Sequence, residues 1–336
     1  MTETSNTVPD LEDRFLEPEG WRWHSFIREG REIRFGSIFP KDSIPDAVVI
    51  CLPGLGEFSE KYFETARTCL DKNLAFWIMD WMGQGRSGRY LKNPQKRHAT
   101  SFQDDVDDLH YFIMEYVKHA CVHPDVGRIP ITMLAHSMGG NIGLHYLHQH
   151  PDMFECAAFT APLFGLKATD KIPLPCLLPI SALLRVLMPK KYVGKGSDWD
   201  QAMRPFDGPD ALSTDPVRVQ VHTQWFESDQ ELQVGSPTYK WLHAALVSCL
   251  RASRKSLLKH IQKACLISLA GKEQLVDNIK AHKIAAALPH CKLQELSESH
   301  HEILMETDNI RDQFFQEFYA LIKENIIDRP ETLKPF

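Results

Sequence analysis

The sequence has no long apolar stretch at its start, no excess of basic charge and no paired-cysteine motif, and each absence removes a class of function. Residues 1–20, MTETSNTVPDLEDRFLEPEG, are acidic and lack an apolar core. They are expected to be neither a signal peptide nor a membrane span. Lys and Arg number 38 against 44 Asp and Glu, a formal net charge of −6. A nucleic-acid binder would want a basic domain, so no nucleic-acid partner is expected. The 8 cysteines are scattered, mostly within apolar runs, and no CxxC occurs. That sets aside a zinc ribbon and a thioredoxin motif, and leaves buried, reduced thiols in a cytoplasmic protein as the expectation. No HExxH or other metal spacing is found, so no metal is expected. Internal repeats and low-complexity tracts are missing too.

What is present is rhythm. The 336 residues exceed one typical domain, but a large α/β domain carrying an insertion accounts for them. WRWHSFI, REG and REIRFGSIF read as a β-hairpin. DAVVICLPG, a short β-branched run ending in Pro-Gly, reads as a strand buried on both faces, and LAFWIMD, RIPITMLAH and FECAAFTAPL read as strands. Between them SEKYFETARTCLDKN, SFQDDVDDLHYFIMEYVKH and MGGNIGLHYLHQH carry helical spacing, the second with Ser101 as its cap. The alternation breaks at Phe164 and resumes near Lys255 with KACLISLAG, NIKAHKIAAAL, CKLQEL and a last helix. In that helix Ile310, Phe314, Phe318 and Leu321 form one stripe for docking on the sheet. The expected architecture is a mostly parallel sheet flanked by helices. Residues 1–163 and 256–336 form its core, and residues 164–255 form an inserted, mainly helical cap.

One pentapeptide focuses the chemistry. Ser137 in AHSMG follows a buried strand, precedes a helix, and has small residues two before and two after it, Ala135 and Gly139. This is the nucleophile-elbow pattern, in which a tight turn leaves no room for bulky neighbours. A serine nucleophile needs a base, an acid to orient the base, and donors for the oxyanion. On such a sheet the chain order is Ser, acid, His. The loop SESHHEILME supplies adjacent histidines, of which His301 is the expected base and His300 points elsewhere. The acid lies in GKEQLVDN, where Glu273 and Asp277 compete. Glu273, followed by Leu275 and Val276, fits the usual spacing; Asp277 would bond the loop or cap the next helix. In CLPGLGEFSEKY, Gly54 and Gly56 allow a turn that leaves the N–H of Leu55 pointing inward beside that of Met138, a candidate oxyanion hole.

Together PGLGEFSEKY, MDWMGQGRSGR, SFQDDVDDL, AHSMGG and HEILME resemble the monoglyceride lipase and bacterial lysophospholipase branch of the α/β-hydrolase superfamily. The resemblance covers most of the core, and DWMGQGRSGR with DDVDDL leans toward the lysophospholipase side. The chain departs from monoglyceride lipases at Pro53, where they have histidine, at Ala135, where they have glycine, and at Glu273, where they have aspartate. The resemblance implies a carboxylester hydrolase without cofactor.

Residues 171–195, KIPLPCLLPISALLRVLMPKKYVGK, are rich in Leu, Ile and Pro but too short to span a bilayer. Between Lys167 and Lys195 stand six basic residues and one acid, Asp170. An apolar stretch so flanked suits a lid leaning on an anionic lipid surface, with Leu183, Leu184 and Leu187 as substrate contacts. The alternative is that it packs on the core. The functional expectation is a cytoplasmic serine esterase, peripheral to the inner face of the membrane. It would act as lysophospholipase or monoacylglycerol lipase on a single-chain lipid. A prolyl-type aminopeptidase using cap acids such as Glu227 and Asp229, a small-ester esterase, and a non-catalytic module of the same fold are the alternatives.

Overall fold

The β-branched runs become strands, and the side chains along each strand divide between two cores. A computed structural model describes residues 8–169, 172, 174–208 and 211–329. Strands β1 (Arg22–Arg28), β2 (Arg31–Ile38), β3 (Ala47–Leu52), β4 (Leu74–Met79), β5 (Ile131–His136), β6 (Cys156–Thr160), β7 (Ala264–Ala270) and β8 (Cys291–Leu296) form one eight-stranded sheet. Its order is β1-β2-β4-β3-β5-β6-β7-β8. β2 is antiparallel to both β1 and β4, and every other pairing is parallel. The β1–β2 turn puts Glu29 and Gly30 at φ 50° and 72°, the positive pair that a tight hairpin turn requires.

Along β3, Val48, Ile50 and Leu52 face one core while Ala47, Val49 and Cys51 face the other. Both faces are covered, so the strand reads as a continuous apolar run rather than an alternation. Helices α1 (Phe63–Leu70) and α8 (Asp308–Ile322) cover one face, through Phe63, Ala66, Ile310, Phe314, Phe318 and Leu321. The expected stripe of the last helix is thus buried. Helices α2 (Phe102–Phe112), α3 (Met138–Gln149), α6 (Tyr239–Ala252) and α7 (Asn278–Ala285) cover the other. Ser101 caps α2, its hydroxyl accepting from the N–H of Gln103. All eight cysteines are free; six are buried, but Cys176 is exposed and Cys291 half-buried.

Between β6 and α6 lie α4 (Leu174–Leu187) and α5 (Arg218–Ser228). Helix α4 lies against α6. Helix α5 rests on the loop after β3, where the rings of Phe226 and His222 stand 5.2 and 5.1 Å from Phe58. Buried ion pairs fasten this region: Arg218 bonds Glu64 of α1 at 2.8 Å, and Arg204 bonds Glu302 at 2.5 Å. Helix α6 belongs to the main core, into which it sends Trp241, Ala245, Cys249 and Ala252. Its apolar face has helical period, and the same pattern would serve a cap or a core helix; only the partners differ.

Candidate active site

β5 ends at His136, α3 begins at Met138, and Ser137 makes the turn between them at φ 49°, ψ −112°. A non-glycine residue rarely holds a positive φ, and one that does is kept there by its surroundings. Here the surroundings are tight. A Cβ on Gly139 would stand 2.2 Å from the carbonyl oxygen of Leu52, so the position two after the serine must be glycine. The N–H of Leu163 donates to the Ser137 carbonyl at 2.8 Å, and the N–H of Ser137 donates to the Thr160 carbonyl at 3.0 Å.

His301 Nε2 lies 3.0 Å from Ser137 Oγ, and His301 Nδ1 lies 2.8 Å from Glu273 Oε2. All three side chains are buried. The other Glu273 oxygen, Oε1, accepts from the N–H groups of Gln274, Leu275 and Val276 at 2.9, 2.7 and 3.2 Å. Burial would raise the carboxyl's pKa, but His301 and these donors hold it down at about 2. For His301 burial favours the neutral ring. The adjacent Glu273 carboxylate outweighs that, with help from Glu302 and Glu57, so its pKa is raised above the ordinary histidine value. Asp277 does something else: its Oδ1 accepts from the N–H of Lys280 and caps α7. His300 points away, with Nδ1 2.6 Å from the carbonyl of Ala211.

Leu55 lies in the loop after β3, and Gln84 grips that loop on both sides of it. The Gln84 amide donates to the carbonyls of Gly54 and Glu57 at 2.7 and 2.8 Å, and its oxygen accepts from the N–H of Gly56 at 3.1 Å. Gly56 turns the chain at φ 71°. Among the described residues the N–H of Leu55 has no hydrogen-bond acceptor. Met138 opens α3, so its N–H is one of the unpaired donors of a helix N-terminus. Both candidate donors are therefore uncommitted by secondary structure.

Sequence reasoning missed the charge network beneath this site. Lys61, 1% exposed, places Nζ 2.6 Å from both Glu57 Oε1 and Glu302 Oε1. Glu57 also accepts from the Gly54 N–H and, at 2.5 Å, from the Tyr62 hydroxyl. One lysine thus ties the Leu55 loop to the residue after His301, and Arg204, from the segment between β6 and α5, joins them. The His136 ring stands 4.9 Å from that of His301. Its pKa is lowered to about 4, chiefly by burial, with Glu57 opposing and the neighbouring His301 and Lys61 adding to the fall. These residues stand in the quoted motifs GEFSEKY, AHS and HHE, but they are far apart in sequence and only the fold brings them together.

A measurable consequence follows for Lys61→Met. It takes the cation from Glu57 and leaves Glu302 with Arg204 alone, and breaking one partner of a buried pair costs about 3–5 kcal/mol. Urea unfolding should show a loss of that size, with partial recovery in the triple variant that adds Glu57→Gln and Glu302→Gln. A loss below about 1 kcal/mol would mean that water already reaches the network.

Leu183 and Leu187 are 58% and 65% exposed, and Leu184 is half-buried. Ile180 and Val186 beside them are exposed as well. Asp170 and Lys171, at the start of the apolar run, lie outside the described residues. Among the described residues no helix is long and apolar enough to cross a membrane, and no group of three or more His, Cys, Asp or Glu is arranged to hold a metal ion.

Residues 43–308 match the family model described as serine aminopeptidase, S33. Lysophospholipase L2 of Escherichia coli K12 is 29% identical over 79% of this chain and 77% of its own length. Monoacylglycerol lipase of Mycolicibacterium smegmatis is 26% identical over 78% and 85%. Among solved structures, a soluble variant of Saccharomyces cerevisiae monoglyceride lipase in complex with a substrate analog superposes with a TM-score of 0.70. That likeness covers 96% of this chain and 97% of the other at 17% identity, and it speaks to the fold.

Proposed function

The chain belongs to the serine aminopeptidase S33 family of α/β-hydrolases and is a serine hydrolase, and we propose that it releases a fatty acid from a single-chain lipid ester. The observation that carries this reading is the hydrogen-bonded row Ser137–His301–Glu273 at a positive-φ turn on top of β5. Ser137 Oγ attacks the ester carbonyl while His301 Nε2 takes its proton. The N–H groups of Leu55 and Met138 receive the oxyanion. The departing alkoxide, a lysophospholipid headgroup or glycerol, takes the proton back from His301. Water then attacks the acyl-serine, loses a proton to His301, and the fatty acid leaves as Ser137 is restored. No cofactor enters these steps.

The relatives named lysophospholipase and monoacylglycerol lipase support the lipid ester over a peptide. An aminopeptidase would need a free carboxylate for the substrate's ammonium. Asp229, one of the acids considered for that role, is instead paired with Arg86 at 2.6 Å. Hydrolysis rates on lysophosphatidylcholine, monooleoylglycerol, p-nitrophenyl butyrate and proline p-nitroanilide test the reading. A preference for the anilide over every acyl ester would sink it.

The insertion over residues 164–255 serves as the cap, with residues 164–238 as its covering part and α6 as its root in the core. The outward apolar residues of α4, flanked by Arg185, Lys190 and Lys191, rest against a lipid surface, where Leu183, Leu184 and Leu187 meet the acyl chain. Replacing all three leucines with serine should lower kcat/KM on long-chain esters at least tenfold. Turnover of a butyrate ester, whose chain barely reaches the cap, should hold within twofold. Equal losses on both would make the stretch a structural element only.

A further inference from the structure

A cavity of about 820 Å³ lies between the start of the cap and helices α6 and α7, walled by Phe164, Leu166, Leu177, Leu246, Leu258 and Ile284. Its volume falls in the range of small-molecule sites, roughly 300–1,000 Å³. It is separate from the triad: none of Ser137, Glu273 and His301 lines it. Its cationic content is out of proportion to the chain. Lys255, Lys259, Lys280 and Lys283 stand in its lining, and among the described residues no Asp or Glu does, in a protein of net charge −6.

Three of these four lysines are not neutralised locally. Lys280 keeps Asp277 at 3.3 Å, but Lys255, Lys259 and Lys283 have no carboxylate partner among the described residues. Lys255, Lys259 and Lys283 are exposed, so they form a rim, while the aliphatic walls lie inside it. Lys280 runs inward: its Nζ lies 2.8 Å from where a Cβ on Gly165 would stand, a space left open because that residue has no side chain. An apolar hollow with an ammonium rim calls for a ligand with one apolar tail and one anionic end.

We infer that this cavity binds a long-chain fatty acid anion, its tail against the walls from α6 and α7 and its carboxylate among the rim lysines. That this ligand is also the reaction product rests on the proposed function; the site itself does not. The cavity shares a wall with the acid-bearing loop, since the N–H of Asp277 bonds the carbonyl of Gly165 and the N–H of Lys167 bonds that of Leu275, both at 3.0 Å. A fatty acid seated there lies outside the catalytic path yet against the segment that holds Glu273.

The test uses the full chain, first treated with diisopropyl fluorophosphate so that the catalytic serine is blocked, the modification being verified by mass. Failure to label would count against the proposed function and leaves the binding test valid on the untreated protein. Oleate is then titrated by displacement of a dansylated undecanoate. Saturable binding should survive the block, and methyl oleate should bind at least tenfold more weakly. The double variant Lys255→Glu/Lys283→Glu and, separately, Ala286→Trp, which projects an indole into the hollow, should each weaken oleate at least tenfold while butyrate-ester turnover stays within twofold. Three results overturn the proposal: oleate binding abolished by phosphorylation of the catalytic serine, methyl oleate binding as tightly as oleate, or binding unchanged in both variants. Binding only to vesicles of phosphatidylglycerol, with none to monomeric oleate, would also overturn it and assign the lysines to a membrane surface.

Discussion

Ser137→Ala is expected to fall about a million-fold in turnover while unfolding at the same denaturant concentration as the parent. Loss of a serine nucleophile is of that order in a well-studied protease of another fold, where what survives comes from the oxyanion donors and binding. The geometry gives a reason to expect the same here. Oγ is the atom 3.0 Å from His301 Nε2, and no second hydroxyl bonds that nitrogen among the described residues. The fold should tolerate the change, because alanine removes one oxygen and the backbone bonds of residue 137 to Leu163 and Thr160 remain. The positive φ will still be strained with alanine, as it already is with serine, so strain does not distinguish the two. His301→Ala should be comparably inactive. His300→Ala should keep most activity, since that ring bonds Ala211 rather than Ser137. Substantial turnover by pure, folded Ser137→Ala would remove the residue from the mechanism, and an inactive His300→Ala beside an active His301→Ala would move the base by one position.

The sheet and the elbow were legible because their signals are local. Buried strands such as DAVVICL and RIPITML are continuous apolar runs, and the steric demand at Gly139 shows in the pentapeptide itself. The choice between Glu273 and Asp277 rested on spacing along the chain. Their surroundings differ in the structure: the side chain of Asp277 caps the first turn of α7, while the three N–H groups after Glu273 curl back onto its own carboxylate. The Lys61 network was not legible. A lysine, two glutamates and two histidines spread from residue 57 to residue 302 look like solvated surface until the fold buries them together. Helix α6 carries an apolar stripe, and a stripe says that a face is buried, not against what.

Glu273→Gln should lower turnover by about four orders of magnitude, more than the loss of one negative charge alone would cause. The reason lies in the oxygen that does not touch His301. Oε1 accepts three backbone N–H bonds, which an amide NH2 cannot do, so the glutamine must keep its oxygen there. Its NH2 then occupies the place of Oε2, 2.8 Å from His301 Nδ1. A donor at that point makes Nδ1 the acceptor and puts the ring's proton on Nε2, which then faces Ser137 as a donor instead of a base. The pH profile gives an independent readout. His301 must be neutral to take the serine's proton, and its pKa is raised by Glu273 above the ordinary histidine value, so parent activity should fall as pH drops through that raised pKa. Without that carboxylate the burial of the ring dominates, and the acidic limb of the residual activity should move to lower pH. Asp277→Asn is the control: asparagine caps a helix as well as aspartate does, so activity and stability should change little. An unshifted acidic limb in Glu273→Gln with near-parent turnover, or an inactive Asp277→Asn, would transfer the orienting role to Asp277.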